Sequence, residues 1–207
     1  MATRIPTRTD ERRLPVEGSA SGPGALWAYF AEFVKDPLGV GSPIPSFAHT
    51  VDRLLDPIDW QQLKVIVEFG PGTGRFTEGA LRRMRPDATL IAIDTSPAFA
   101  DYLREALPDP RLRTVAASAL ELQSVLLDQG YAQCDCILSG LPFSTLSDRD
   151  GEAIVRASHR LLRPGGLFVA YQVRDCVRGL LERDFTMVRE AFEWLNLPPY
   201  RLYWFKK

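Results

Sequence analysis

The chain has 207 residues, 45% apolar and 25% charged, with a formal net charge of -1, the composition of one globular domain large enough to enclose a core. So small a net charge argues against the broad basic field that accompanies nucleic-acid binding, and nucleic acid is not expected as a partner. No apolar run approaches the roughly 18 residues of a spanning helix and no signal core follows the first arginines, so the expected location is the cytoplasm.

Residues 1–24 mix arginines with Pro, Gly, Ser and Thr and are predicted to form a mobile tail. In the segment 25–35, Leu26, Trp27, Phe30, Phe33 and Val34 recur at helical spacing on one broad apolar face, and Asp36-Pro37 ends it. A Gly-Pro stretch then leads to a second predicted helix from Ser46 to about Asp56. Beyond it, strands at 64–69, 89–93, 111–116, 134–139 and 167–172 alternate with helices at 75–84, 97–107, 119–128 and 148–162. A basic helical stretch at 174–182 precedes two strands, about 185–194 and 200–206, joined by Asn196-Leu197-Pro198-Pro199. The expected division is therefore a tail (1–24), N-terminal helices covering the membrane or substrate side (25–60) and a cofactor-binding domain (61–207). The expected architecture is α/β: a Rossmann-like seven-stranded sheet, mostly parallel with an antiparallel final strand, and helices on both faces.

Chemistry concentrates where the first strand, Val65-Ile66-Val67-Glu68-Phe69, runs into Gly70-Pro71-Gly72-Thr73-Gly74. Such a turn lets backbone approach a ligand closely, and the helix after it begins with free N–H groups. The next strand ends in Asp94, twenty residues past Gly74, where a carboxylate can accept hydrogen bonds from a ribose diol. The spacing is G-x-G-x-G, not the G-x-G-x-x-G of dinucleotide sites, which points to a nucleoside cofactor other than NAD. Cys134, Cys136 and Cys176 lack metal-ligand spacing, so no metal is expected. The Cys-Asp-Cys step is expected to point both thiols to one face as packing, and His159 to be a solvated surface residue.

Glu68-Phe69-Gly70-Pro71-Gly72-Thr73-Gly74 resembles the first motif of the class I S-adenosylmethionine-dependent methyltransferases. The resemblance implies S-adenosyl-L-methionine as cofactor, held by Gly70, Pro71, Gly72, Thr73 and Gly74, with Glu68 ordering its amino-acid end and Asp94 and Thr95 at the ribose. Ser118 and the backbone of Ala119 are assigned to the adenine side, and Ser139 to the cofactor as well as the acceptor. Ser139-Gly140-Leu141-Pro142-Phe143, at the fourth strand's end, is similar to the N-x-P-Y/F motif of enzymes that methylate exocyclic adenine nitrogens. Ser replaces Asn, and an extra residue precedes Pro.

The chain is closer to the bacterial phospholipid N-methyltransferases. The shared residues are Phe33-Val34-Lys35-Asp36-Pro37, Val40-Gly41, Pro45-Ser46, the first motif, Ser139 to Phe143, Leu162-Arg163-Pro164-Gly165-Gly166 and Asn196-Leu197-Pro198-Pro199. Tyr171-Gln172-Val173-Arg174 departs from the aromatic-rich stretch expected after the fifth strand. This resemblance implies a phospholipid substrate such as phosphatidylethanolamine and peripheral attachment to the inner face of the cell membrane. Trp27, Phe30, Phe33 and Lys35 would then anchor the protein on an anionic surface. Ser139 and Phe143 would line the acceptor side, Tyr29, Phe143 and Tyr171 would hold the methylated cation by cation–π contact, and Arg174 would meet a substrate phosphate. The alternatives are an RNA adenine N-methyltransferase and a non-catalytic cofactor-binding partner subunit.

Overall fold

The computed structural model describes residues 45–195 and 199–207, with side chains from residue 48 onward. The tail 1–24, the helix expected over 25–35 and Asn196-Leu197-Pro198 lie outside the described residues. Helix α1 (Pro45–Leu55) precedes strands β1 (Val65–Phe69), β2 (Thr89–Asp94), β3 (Leu112–Ala116), β4 (Cys134–Ser139) and β5 (Leu162–Gln172). Between these strands run α2 (Arg75–Arg83), α3 (Pro97–Ala106), α4 (Leu122–Asp128) and α5 (Asp148–Leu161). A short α6 (Arg178–Leu181) leads to β6 (Thr186–Glu193) and β7 (Tyr200–Lys206).

The seven strands form one sheet in the order β3-β2-β1-β4-β5-β7-β6. β1 to β5 are mutually parallel; β7 inserts antiparallel between β5 and β6, so β6 points the same way as β5. All five residues of β1 are buried, as an apolar strand covered on both faces requires. One apolar layer joins Val67, Phe69 and Ile137 to Leu122, Ile154 and Leu181 of α4, α5 and α6. The other joins Ile66, Leu90, Leu138 and Trp204 to Val51 and Leu55 of α1 and Phe76 and Ala80 of α2.

Helix α1 belongs to the same compact unit as the sheet, Pro43–Lys207. Two indole N–H groups hold its last carbonyls, Trp204 donating to Leu54 O at 3.0 Å and Trp60 to Leu55 O at 2.9 Å. It meets α2 so closely that a Cβ on Gly79 would lie 2.5 Å from Val51 Cγ1 and 2.9 Å from Leu55 Cδ1. Arg83 also pairs with Asp52 and Asp56 across this contact, but both carboxylates are more than half exposed. Such pairs contribute about 0–1 kcal/mol each, whereas burying Val51 and Leu55 contributes roughly 1.5–3 kcal/mol apiece. Apolar burial sets this interface.

Several elements differ from expectation for local reasons. β5 begins at Leu162, not 167, because Arg163-Pro164-Gly165-Gly166 stays within the strand as a bulge. The pairing steps from Cys134–Leu162 to Cys136–Leu167, with Gly165 at φ 76°. Across that break Cys134 packs in the first layer and Cys136 in the second, so the two thiols do not share a face. Burial pushes the Cys134 thiol up to about 12, and that of Cys136 higher still. His159 is half-buried, its ring edge-on to Phe185 at 5.0 Å. The basic stretch 174–182 yields only α6, and the helix expected from 119 opens as a 3-10 turn before α4. Among the described residues no helix is long and apolar enough to cross a membrane, and no acidic, His or Cys group could hold a metal ion.

Candidate active site

The strand order reverses between β1 and β4, so the crevice for a ligand lies at their C-terminal ends. There the turn after β1 holds Gly70, Gly72 and Gly74 at φ 63°, 54° and 79°, values that side chains disfavour. The Gly70 N–H donates to Ile93 O at 3.0 Å and the Gly74 N–H to Pro71 O at 2.9 Å, fixing the turn against β2 before α2 starts. A Cβ on Gly74 would lie 2.6 Å from Leu103 Cδ1, whereas one on Gly72 would meet nothing within 4 Å. Gly74 thus permits packing on α3, while Gly72 fronts open space. Pro71 is buried and Thr73 half-buried.

Asp94 stands beside this turn at the end of β2. Its half-buried carboxylate accepts the Ser96 N–H at 2.9 Å, and burial raises its pKa against that hydrogen bond. Thr95 is exposed next to it. The Ala117 N–H donates to Asp94 O at 2.9 Å, bringing Ser118 and the buried Ala119 alongside. The Ser118 hydroxyl is occupied there, accepting the Leu120 N–H at 3.2 Å, while the Ser118 N–H donates to Glu121 at 2.8 Å. This reciprocal cap orders the segment and leaves the Ser118 O–H to donate.

Glu68 is fully buried on β1, and the Thr77 hydroxyl donates to its Oε2 at 2.6 Å. Its Oε1 is buried without a hydrogen-bond partner among the described residues. Burial pushes the carboxyl up to about 7, with the Thr77 bond opposing the rise. Tyr171, on the same sheet face, stacks on Phe76 of α2 with centroids 4.0 Å apart. Its hydroxyl lies over Gly140, where a Cβ would run into it and stand 2.9 Å from Gly70 O. Burial, and then the Glu68 charge, hold the Tyr171 phenol well above its usual pKa. The turns after β1 and β4 and the end of β5 therefore meet in one knot, which Tyr200 extends with its ring 6.2 Å from Tyr171.

Two residues expected to line the acceptor side are buried. Ser139 pairs with Phe69 across the strands and so faces the layer opposite Glu68, its hydroxyl buried and unpartnered among the described residues. Phe143 is 5% exposed and packs within the first apolar layer. In the turn after β4, Leu141 O accepts from Gln172 Nε2 at 2.8 Å, and Pro142 O from the Thr145 hydroxyl at 2.9 Å. Arg174 is exposed just past β5. Tyr29, Trp27, Phe30, Phe33 and Lys35 lie outside the described residues. Thr77, Phe76 and Gln172 were missed by sequence reasoning; of these only Thr77 carried a signal, facing back toward β1 from the first turn of α2.

Residues 66–166 match the family described as a methyltransferase domain. The ornithine lipid N-methyltransferase of Singulisphaera acidiphila is 29% identical over 176 residues, 84% of this chain and 92% of that protein. The N-methyltransferase NodS of Bradyrhizobium japonicum, solved with S-adenosyl-l-homocysteine, superposes with a TM-score of 0.67 at 18% identity, covering 89% of this chain and 97% of that one. The 1,6-didemethyltoxoflavin-N1-methyltransferase of Burkholderia thailandensis gives 0.60 at 20% identity over 99% of each chain. With this match and this fold, residues 66–166 form a methyltransferase domain.

The residues around β1 and β2 fit S-adenosyl-L-methionine, the cofactor expected from the glycine-spaced motif. Gly72 fronts open space that a close backbone contact needs. Asp94 accepts one backbone bond and retains lone pairs for a diol. When bound, the cofactor supplies an electrophilic methyl group on a sulfonium. Glu68 yields a test of the site's electrostatics. With a folded carboxyl near 7 against an ordinary 4.5, the native state holds this proton more tightly than the unfolded chain. Its stabilising contribution is therefore full below about pH 4.5 and is lost as pH rises toward 7. Thermal melts of Glu68→Gln should lack that loss, gaining at most about 3 kcal/mol relative to wild type between pH 5 and 8. Parallel pH profiles would contradict the buried, uncompensated carboxyl.

Proposed function

We propose that this methyltransferase transfers a methyl group to the amine of a lipid headgroup, such as that of phosphatidylethanolamine. The observation that carries this reading is the similarity to an ornithine lipid N-methyltransferase, which at 176 aligned residues extends well outside the match at 66–166. Likeness confined to the cofactor domain would say nothing of the acceptor.

Methyl transfer from a sulfonium is an in-line displacement, so the chain's task is to align the amine and exclude water. An alkylammonium of pKa near about 10 must first lose its proton, which desolvation at the crevice favours. Tyr171, backed by Phe76 and edged by Tyr200, is the aromatic group proposed to hold the cationic nitrogen, at roughly 0.5–2 kcal/mol. Arg174 is proposed to meet the anionic group of the headgroup. Incubation with methyl-labelled cofactor and vesicles of phosphatidylethanolamine, vesicles of ornithine lipid, or RNA tests the reading. Label in an amine lipid supports it, and label in RNA alone overturns it.

The segment 25–35 is proposed to anchor the enzyme through its aromatic face, with Lys35 and the preceding arginines attracted to anionic lipid by about 1 kcal/mol per basic residue. Replacing Trp27 and Phe30 with Glu should lower vesicle co-sedimentation severalfold while calorimetry shows unchanged cofactor binding. Unaltered sedimentation would remove this segment from the membrane contact.

A further inference from the structure

If the acceptor is a lipid, its acyl chains stay in the bilayer, so the mouth of the crevice must face the membrane and whatever shares that edge of the sheet must touch it. β6 runs the same way as β5, so the C-terminal ends of both open on the edge where β1 and β4 form the crevice. Gln172, Arg201 and Phe192 lie in one row across β5, β7 and β6. The residues just past this row are apolar and exposed: Val173 at 46%, Trp194 at 75% and Leu195 at 63%. Among the described residues the other large exposed apolar side chains are Tyr102 on α3, Leu127 on α4 and Val188 within β6, with Leu120 past β3 on the adenine side of the crevice.

The exposed pair is held in place by the strand behind it. The Glu193 carboxylate, 1% exposed, accepts the Leu195 N–H at 2.9 Å and pairs with Arg53 at 3.2 Å and His49 at 3.6 Å. Trp194 packs edge-on to Phe192 at 4.3 Å, with the Arg201 guanidinium 5.3 Å from the same ring. Basic groups flank the patch: Arg174 is exposed, and Arg53 and Arg201 are partly so. The acidic groups nearby are engaged, Asp175 accepting the Tyr203 hydroxyl and Glu190 pairing with Arg178 and Arg201.

We propose that Trp194, Leu195 and Val173 form the membrane-docking surface of the catalytic body, seated in the interface of an anionic bilayer with Arg174 and Arg201 at its rim. The proposal rests on the lipid reading above. A tryptophan beside a leucine suits the headgroup boundary, where one end of the ring is apolar and the other wet, and basic side chains add attraction that salt weakens.

The test is the full chain carrying W194E and L195E, with W194F/L195I as the conservative control, on vesicles of phosphatidylethanolamine and phosphatidylglycerol at low salt. The glutamate variant should lose vesicle binding about tenfold or more and lose methylation of vesicle lipid in parallel. Its melting temperature, cofactor affinity and activity on a soluble short-chain amine lipid should stay at wild-type values, and W194F/L195I should sediment like wild type. Undiminished sedimentation and vesicle methylation by the glutamate variant would overturn the docking surface while leaving the lipid substrate standing. A wild-type protein that labels no lipid would sink the substrate reading instead, with the docking claim then decided by sedimentation alone.

Discussion

Asp94→Ala should weaken S-adenosyl-L-methionine binding by about 10- to 150-fold, the equivalent of roughly 1.5–3 kcal/mol for hydrogen bonds to a charged acceptor. The carboxylate sits at the end of β2, one residue from Ile93, whose carbonyl fixes Gly70. Its half-buried position raises the cost of leaving ribose hydroxyls unpaired beside an alanine. Asp94 also accepts the Ser96 N–H at 2.9 Å, so some of the loss could arise from a loosened turn. Asp94→Asn separates the two, since an amide oxygen can keep the Ser96 bond but supplies one acceptor fewer and no charge. Calorimetry should rank wild type above Asn and Asn above Ala. Equal affinity in all three would refute the ribose assignment.

Gly140→Ala is expected to cost about 1–3 kcal/mol of stability, as overpacking in a closed site does, and to reduce cofactor affinity with it. The new Cβ would meet the Tyr171 hydroxyl and stand 2.9 Å from the Gly70 carbonyl, so the turns after β1 and β4 must part. Removing the hydroxyl in Gly140→Ala with Tyr171→Phe should restore part of the loss. Full recovery is not expected, because the ring carbon Cζ, 2.7 Å from the new Cβ, and the Gly70 carbonyl remain in place. Thermal melts and cofactor titrations of the single and double variants measure this coupling, and purely additive effects would show that the two residues do not meet.

The elements that repeat strongly could be read from sequence. The apolar runs of β1 and β2 and the amphipathic helices between strands dictate a parallel sheet covered on both faces. The positive φ values at Gly70, Gly72 and Gly74 are what a glycine-spaced turn predicts. The acceptor side was harder, because it depends on which face of the sheet a residue occupies. Ser139 falls opposite Glu68 through its pairing with Phe69, and Phe143 turns into the core beneath the loop. Pairing of distant strands decides both, and local pattern does not carry it. The bulge at Arg163 to Gly166 moved Cys134 and Cys136 into different layers for the same reason. No sequence pattern singles out Glu193. Only the fold brings Arg53 and His49 of α1 to it.

Mass spectrometry after turnover with deuteromethyl-labelled cofactor on mixed vesicles of phosphatidylethanolamine, ornithine lipid and phosphatidylglycerol identifies the atom that receives the methyl group. Fragmentation should place the label on the headgroup nitrogen of an amine lipid, leave phosphatidylglycerol unlabelled, and show the signal lost with Asp94→Ala at limiting cofactor. Label on oxygen or carbon, or on a soluble or nucleic-acid acceptor with every lipid unmodified, would contradict the account.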